Sequence, residues 1–318
     1  MAKWKTKAKA SLKRIQYIIA AVVVVICLTL WVLDYTGIVE YSELFGGVGL
    51  SGDNGYSGNA EVAVHFVDVG QGDCQLIVAG DSVVLIDGGE YEQSSKVRWY
   101  LHSLGITEID YLISTHPHSD HCGSLSDVIR EFKVLNVIAP RVPDELVPTG
   151  GSYPYFLEAV ADEGCGLTPA NVGDVYTLDK GATLEILAPI NYNVDELNNL
   201  SVVCMLRYGE DSVLFTGDAE YDEEHDIIYA GYDIDADVLK VGHHGSSTSS
   251  SYDFLNEVTP EYCVIGVGAD NDYGHPHQKV MGRLSDFTDE IYRTDLQGDI
   301  VCELDGKGGY VFVYDGGK

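Results

Sequence analysis

Positive charge is what this 318-residue chain has least of: 19 Lys and Arg stand against 50 Asp and Glu, for a formal net charge of −31. Six of the 19, Lys3, Lys5, Lys7, Lys9, Lys13 and Arg14, lie ahead of residue 15, which leaves 13 against all 50 acids, or about −37, for the rest. Such a surface repels polyanions, because nucleic-acid binders need a basic patch to displace counterions from phosphates. The balance counts against a DNA substrate unless Lys96, Arg98, Lys240, Lys279, Arg283 and Arg293 form a local basic site. For most of the acidic residues solubility is explanation enough.

Paired cysteine spacings are missing as well. Of the seven cysteines, Cys74, Cys204, Cys263 and Cys302 fall in apolar, strand-like stretches, Cys122 follows a histidine cluster, and Cys27 lies in an apolar run. This pattern excludes a cysteine-ligated structural zinc site and a disulfide framework; it describes small buried residues, with Cys165 the exposed exception.

Long apolar runs are confined to one place, so the chain cannot form a multi-span channel by itself. Residues 15–33 are uncharged and mostly apolar, long enough to span a bilayer as a helix. The basic residues before them put the N-terminus in the cytoplasm and the rest outside. A cleaved signal peptide is the competing reading, but no Ala-x-Ala-like site follows Trp31. The organisation expected is a basic N-terminus (1–14), a transmembrane signal-anchor helix (15–33), a Gly/Ser-rich flexible linker (34–60) and a catalytic domain (61–318) without internal repeats.

What the chain does have is Thr115-His116-Pro117-His118-Ser119-Asp120-His121, directly after the apolar strand Tyr111-Leu112-Ile113. Three imidazoles and a carboxylate within six positions are metal ligands at metal-ligand density. A helix would put His118 opposite His116, whereas an extended strand end keeps alternate side chains on one side. Pro117 and Ser119 disfavour helix, so the cluster is expected on a loop, with a helix over roughly 124–132 after it. Strands are expected at 62–69, 74–79, 82–86, 111–114 and 134–138, then at 183–187, 201–208, 212–216 and 236–241. Helices are expected at 94–104 and 219–230, and residues 141–154, rich in Pro and Gly, read as a rim loop.

His-x-His-x-Asp-His after a strand resembles the signature of the metallo-β-lactamase fold, and the closer resemblance is to its competence-type branch, the hydrolase domain attached to DNA-uptake channel proteins. The landmarks that carry it, in order, are His65-Phe66-Val67-Asp68-Val69-Gly70-Gln71-Gly72-Asp73, Leu85-Ile86-Asp87-Gly88-Gly89, Phe215-Thr216-Gly217-Asp218 and Leu239-Lys240-Val241-Gly242-His243-His244-Gly245-Ser246. Tyr273-Gly274-His275-Pro276-His277 and Tyr292-Arg293-Thr294-Asp295-Leu296-Gln297-Gly298-Asp299 follow. The likeness runs from about residue 61 to the C-terminus. It implies an α/β, four-layer αββα sandwich with metal ligands on loops along one edge.

By the same resemblance, His116 and His118 hold one divalent ion with Asp218 as the bridge, while Asp120, His121 and one histidine of His243-His244 hold another. His244 is the favoured ligand and His243 the group that contacts a phosphoryl oxygen or protonates a leaving group, though the two assignments can be exchanged. Gly217 allows the tight backbone that turns Asp218 inward. The further histidine of the wider fold is absent between Cys122 and Gly217, where Asn198-Asn199-Leu200-Ser201 stands as in the competence branch, so one metal position is depleted. Oxygen and nitrogen ligands without thiolate suit Zn²⁺ or Mn²⁺.

The resemblance implies hydrolysis by a hydroxide generated on the ions and oriented by Asp120. Asp68, Asp73 and Asp87 are expected to support the imidazoles from behind. His275 is the best substrate contact, against an equal case for a turn or cap; His277 is weaker, and His65, His102 and His225 lie outside the motifs. The run Ser246–Ser251 can bond a phosphate or cap a helix, and aromatics at 153–156 and Tyr221 can pack a base, a sugar or a cation, or simply the core.

Three functions stay open: a phosphodiesterase, in its sharper form a DNA nuclease; a hydrolase of small or cell-envelope phosphodiesters or of a lactone or lactam; and a weakly catalytic metal-binding adaptor, against which Asp120 and Asp218 speak. The membrane, through residues 15–33, is the one partner the sequence names; no protein partner is inferable.

Overall fold

The computed structural model describes residues 60–314 and Gly316, so the basic N-terminus, the expected membrane segment at 15–33 and nearly all of the linker lie outside the described residues. Among the described residues no helix is long and apolar enough to cross a membrane.

Six strands open the domain: β1 (Val62–Phe66), β2 (Gln75–Ala79), β3 (Ser82–Ile86), β4 (Glu108–Ile113), β5 (Lys133–Ala139) and β6 (Leu167–Pro169). Seven more, β7 (Val175–Thr177), β8 (Thr183–Ala188), β9 (Val203–Tyr208), β10 (Asp211–Phe215), β11 (Val238–Lys240), β12 (Tyr262–Ile265) and β13 (Ile291–Arg293), make a second sheet. The last two, β14 (Ile300–Leu304) and β15 (Tyr310–Tyr314), return to the first sheet, whose order is β15-β14-β1-β2-β3-β4-β5-β6. β14 lies antiparallel to β1, with Val64 opposite Cys302.

Apolar residues at alternate positions make this a layered fold, because successive strand side chains face opposite ways. Val62, Val64 and Phe66 of β1 and Val84 and Ile86 of β3 meet Cys204, Leu206, Val213 and Phe215 of the second sheet in the buried layer between the sheets. The intervening Leu76 and Leu85 face outward onto α1 (Ser94–Ser103), α3 (Leu125–Glu131) and α4 (Ser152–Glu163). On the far side Val203, Met205, Leu214 and Leu239 pack with α5 (Tyr221–Ala230), α6 (Tyr252–Val258) and α7 (Gln278–Ser285). Helix, sheet, sheet, helix is the expected αββα order.

Three local expectations are corrected. The cluster at 116–121 is only partly a loop: Ser119–Cys122 form a single helical turn, α2, held by hydrogen bonds from the His121 and Cys122 N–H groups to the His118 carbonyl. The expected rim loop ends early, because α4 begins at Ser152 and Pro154 falls in its first turn, where a missing N–H costs nothing. Helix α5 starts at Tyr221 rather than at 219, since the Ala219 N–H bonds the Thr216 carbonyl and closes a turn after β10. The six described cysteines are free, five of them buried and Cys165 half-buried, as their spacing suggested.

Helix α5 carries Glu223 inside the protein, 1% exposed. One carboxyl oxygen accepts the Ile190 N–H at 3.0 Å; the other has no partner. Burial pushes its pKa from 4.5 up to about 8. The folded protein therefore holds a proton here that the unfolded chain has released above pH 4.5, and this contribution to stability is lost as pH rises through 8. Glu223→Gln keeps the acceptor without the charge, so its thermal midpoint should rise relative to the parent as pH climbs from 5 to 8. Parallel midpoints in calorimetry across that range would exclude the buried acid.

Candidate metal centre and active site

The chemistry-bearing loops leave the C-terminal ends of neighbouring strands: Asp87 after β3, the histidine cluster after β4, Asp218 after β10 and His243-His244 after β11. Because β3 and β4 run parallel, as do β10 and β11, their loops emerge on one edge.

Asp87 holds the first half together. It is fully buried in a left-handed conformation at φ 57, with one oxygen accepting the Thr115 N–H at 2.8 Å. The other accepts the Thr115 hydroxyl at 2.6 Å and lies 2.8 Å from His121 Nδ1. With Nδ1 occupied, His121 offers Nε2 to the centre. His244 is set the same way, its Nδ1 2.8 Å from the Gly266 carbonyl, and so is His116, its Nδ1 3.1 Å from the Thr115 hydroxyl and 3.4 Å from that of Ser201. Asp218 enters over Gly217, whose φ of 50 strains any other residue and where a Cβ would stand a tight 3.1 and 3.2 Å from Thr115 and Ser201. The Asp218 N–H donates to Ser201 Oγ at 3.0 Å.

The result is a divided carboxylate. Asp218 Oδ1 lies 3.2 Å from His121 Nε2 and 3.6 Å from His244 Nε2, and Asp120 reaches to 3.3 Å from His244 Nε2. Ligand atoms of Asp120, His121, Asp218 and His244 all fall within 4.8 Å of one another. Asp218 Oδ2 faces the other way, 4.0 Å from His116 Nε2 and 3.6 Å from His243 Nε2, and His116 Nε2 lies 3.0 Å from His118 Nδ1. His121 Nε2, Asp218 Oδ1 and His244 Nε2 are buried without a hydrogen-bond partner. Donor atoms that converge and remain unsatisfied are what a divalent cation takes up, so these residues fit a metal.

Electrostatics point the same way. Burial opposes a charge on His121, yet Asp218, Asp87 and Asp120 outweigh it and raise its pKa well above 6.5. His244 is raised to about 10 against burial by Asp218 and Asp73. His116, by contrast, is driven well below 6.5 by burial and by His121, which leaves its lone pair free. So much negative charge on one edge calls for a cation.

Of the expected supports, Asp87 and Asp73 stand behind imidazoles, Asp73 being 3.5 Å from His244 Nδ1. Asp68 does not: it pairs with Lys96 at 3.8 Å and accepts the Gly70 N–H. His275 is half-buried with its ring 5.6 Å from that of His243, and burial, then His243, push its pKa down to about 4. His277 accepts the Ser247 N–H through Nδ1. His65 is buried against the Tyr100 hydroxyl, His102 pairs with Glu131, and His225 is exposed. The serine run is largely structural: Ser251 caps α6 by accepting the Phe254 N–H, and the Ser250 and Ser251 N–H groups bond Glu224. The suspected basic site does not assemble, since Lys96 pairs with Asp299, Arg98 with Glu131, Lys240 with Asp73 and Arg293 with Asp295, while Arg283 is buried against Tyr221 and Ser249.

One residue, Glu220, escaped the sequence reading, and so did the buried partner of Lys240. Glu220 lies 3.2 Å from His243 Nδ1 and accepts hydrogen bonds from Thr248 and Asn198, so His243 is backed by a carboxylate much as His121 is by Asp87. Lys240, 1% exposed, lies 2.6 Å from Asp73, and this ammonium, then His244, lower the carboxyl that burial would raise. Glu220 stands two residues past Asp218 and was within reach; nothing in the local pattern around Lys240 announces a partner 167 positions away.

Two sheets enclosed by helices, with imidazoles and carboxylates gathered at one edge, define the fold of metal-dependent hydrolases. The chain belongs to the metallo-β-lactamase superfamily, which residues 67–268 match. It is 31% identical to ComE operon protein 3 of Bacillus subtilis over 80% of its own length and 35% of that protein. It is equally identical to Recombination protein 2 of Haemophilus influenzae (74% and 28%) and to competence protein ComA of Neisseria gonorrhoeae (78% and 33%). The chain thus spans about a third of the relatives it matches. Among solved structures, CmlA, a diiron beta-hydroxylase from Streptomyces venezuelae, shares the fold at TM-score 0.51 and 16% identity, over 77% of this chain and 54% of that one.

Removing Lys240 should expose how much the centre relies on it. Lys240→Met leaves Asp73 an unpaired buried charge and should cost roughly 3–5 kcal/mol in urea unfolding. The double variant Asp73→Asn, Lys240→Met should recover most of the loss; equal losses in both would deny the pairing.

Proposed function

We propose that this chain is a two-ion metallohydrolase of phosphodiesters, anchored in the cell membrane through residues 15–33 with its catalytic domain outside; likeness to competence proteins makes DNA the first substrate to test, while the acidic surface favours small or envelope phosphodiesters. The observation that carries the reading is the divided Asp218 carboxylate, which presents one oxygen to His121 and His244 and the other to His116 and His243. Likeness to competence proteins supports the phosphodiester, and residues 3–33 support the anchor.

Asp120, His121, Asp218 and His244 would hold one ion, Zn²⁺ or Mn²⁺, and His116, His118 and Asp218 the other. When bound, the ions supply Lewis acidity and activate water for attack on phosphorus. Asp120, 24% exposed where its neighbours are buried, would be open to accept a hydrogen bond from the attacking water and so orient it. His243, also partly exposed, is held by Glu220 with Nε2 toward the centre, placed to give a proton to the departing oxygen. His275, its ring 5.6 Å from that of His243, is placed to contact a non-bridging oxygen of a bound phosphodiester. Ser201 bonds the Asp218 N–H and lies beside His116, in the region where the wider fold carries a histidine, and leaves that ion fewer protein ligands.

The test is cleavage of labelled single-stranded and duplex DNA by the full-length chain with Mn²⁺ or Zn²⁺. Metal-dependent cleavage, lost in Asp120→Ala, is expected; a metal-loaded protein that leaves both intact would remove DNA and turn the search to small and envelope phosphodiesters. For the proton donor, Glu220→Gln should slow turnover roughly tenfold to a hundredfold on an alkyl phosphodiester and much less on one that expels p-nitrophenolate. An equal loss on both would assign Glu220 to architecture alone.

A further inference from the structure

Arg283, on α7, is a buried guanidinium without a counter-charge in contact. It is 4% exposed, yet among the described residues it forms no ion pair with an Asp or Glu. A charge taken out of water on those terms is costly, so the contacts it does make show what the position is for. Arg283 Nη1 donates to the Tyr221 hydroxyl at 2.7 Å and Nη2 to the Ser249 carbonyl at 2.9 Å, while Nε bonds nothing. A guanidinium only donates, so the Tyr221 hydroxyl, which accepts from it, turns its own proton to the Ser247 carbonyl 2.6 Å away. The carbonyl between, that of Thr248, accepts the Tyr221 N–H at 3.0 Å. Two residues thus hold three successive carbonyls of the loop that follows His243-His244.

That loop has turn bonds of its own, from the Ser246 N–H to the His243 carbonyl and from the Ser249 N–H to the Ser246 carbonyl. Order alone would not call for more. It is nonetheless strained, since His243, His244 and Ser250 all sit in the left-handed region at φ 49, 52 and 54, and such residues persist only where their surroundings over-determine them. At the middle of the clamped stretch stands Thr248, exposed to solvent. Its hydroxyl donates to Glu220 at 2.9 Å and lies 3.3 Å from His243 Nδ1, and Glu220 lies 3.2 Å from the same nitrogen. Glu220 directly precedes Tyr221, so the clamp and this triangle share one stretch of backbone at the start of α5.

We infer that Arg283 and Tyr221 are positioning residues for the proton donor: by fixing the carbonyls on either side of Thr248 they press its hydroxyl against Glu220 and so hold His243 with Nε2 toward Asp218. The inference rests on the reading of His243 as the group that protonates the departing oxygen. Neither Arg283 nor Tyr221 reaches the substrate. Their effect passes through Thr248 and Glu220, and it concerns the leaving group rather than the attacking water, because Asp120, His121 and His244 take no part in the triangle. Removing the Tyr221 hydroxyl would strip Arg283 Nη1 of its acceptor and the Ser247 carbonyl of its donor in one step, leaving the ring in place.

Two measurements on the full-length chain with Mn²⁺ separate the clamp from the chemistry. Hydrogen exchange over residues 243–251, followed by mass spectrometry, should quicken roughly tenfold in Tyr221→Phe and in Arg283→Lys. Exchange as slow as the parent's would overturn the clamp. Turnover of thymidylyl-thymidine, which expels a sugar alkoxide, should fall roughly tenfold in Tyr221→Phe and in Thr248→Val at unchanged KM, and that of bis-p-nitrophenyl phosphate much less. Thr248 is exposed and phenylalanine keeps the Tyr221 ring, so melting temperatures near the parent's check that both variants fold. Adding Tyr221→Phe to Glu220→Gln should slow turnover no further, since both act through His243. Quickened exchange with turnover unaltered, or slowed alike on both diesters, would overturn the positioning role while Glu220→Gln still tells the two diesters apart. A Glu220→Gln that slows both alike would instead remove His243 as the donor, and the quickened exchange would leave the clamp as architecture. A parent that turns over neither diester would remove the hydrolytic reading and the positioning role with it.

Discussion

Three carboxylates, Asp73, Asp87 and Asp218, are buried to 2% exposure or less at one edge of this protein, and the constraint that they be compensated shapes everything around them. An unpaired buried charge costs several kcal/mol, so each has been given a partner of different kind. Asp73 has an ammonium, Lys240, drawn fully inside. Asp87 has hydrogen bonds from Thr115 and an imidazole. Asp218 has only imidazoles at 3.2 to 4.0 Å, and one of its oxygens bonds nothing. That gradation separates the supporting carboxylates from the one that faces the centre.

Much of this was legible beforehand. The ligand types are contiguous in sequence at 116–121, and the remaining ones end apolar strands, so the list of residues at the edge could be written from the chain alone. The sequence favoured His244 over His243; in the structure His244 is buried with its Nδ1 beside the Gly266 carbonyl, while His243 is partly open and leans on Glu220. What could not be read was short or remote. A single turn such as α2 has no periodicity, and Gly150-Gly151 with Pro154 disguised the start of α4. The role of Asp68 was misjudged because a carboxylate after a strand looks the same whether its partner is an imidazole or a lysine; Lys96, one helix away, decided it. The basic patch failed for the same reason, its members being distributed one by one among acidic neighbours.

The acidic surface and the metal edge are compatible once their scales are separated. Diffuse charge governs encounter over a Debye length of about 8 Å in physiological salt, whereas the edge acts through contacts of a few ångströms. An acidic hydrolase is thereby slow to capture polyanions from a distance, yet no less able to process one delivered to it. The competence relatives are about two and a half times the length of this chain, which matches about a third of each.

The return of β14 and β15 to the first sheet has a temporal side. β1, near the start of the domain, finds one neighbour in β2 within a dozen residues but must wait for β14, more than 230 residues later, to acquire the other. Until then it presents an open edge able to pair with any extended strand. A chain that emerges vectorially, from ribosome or translocon, thus spends most of its synthesis with the first sheet unfinished, and completes it only when its last strands arrive.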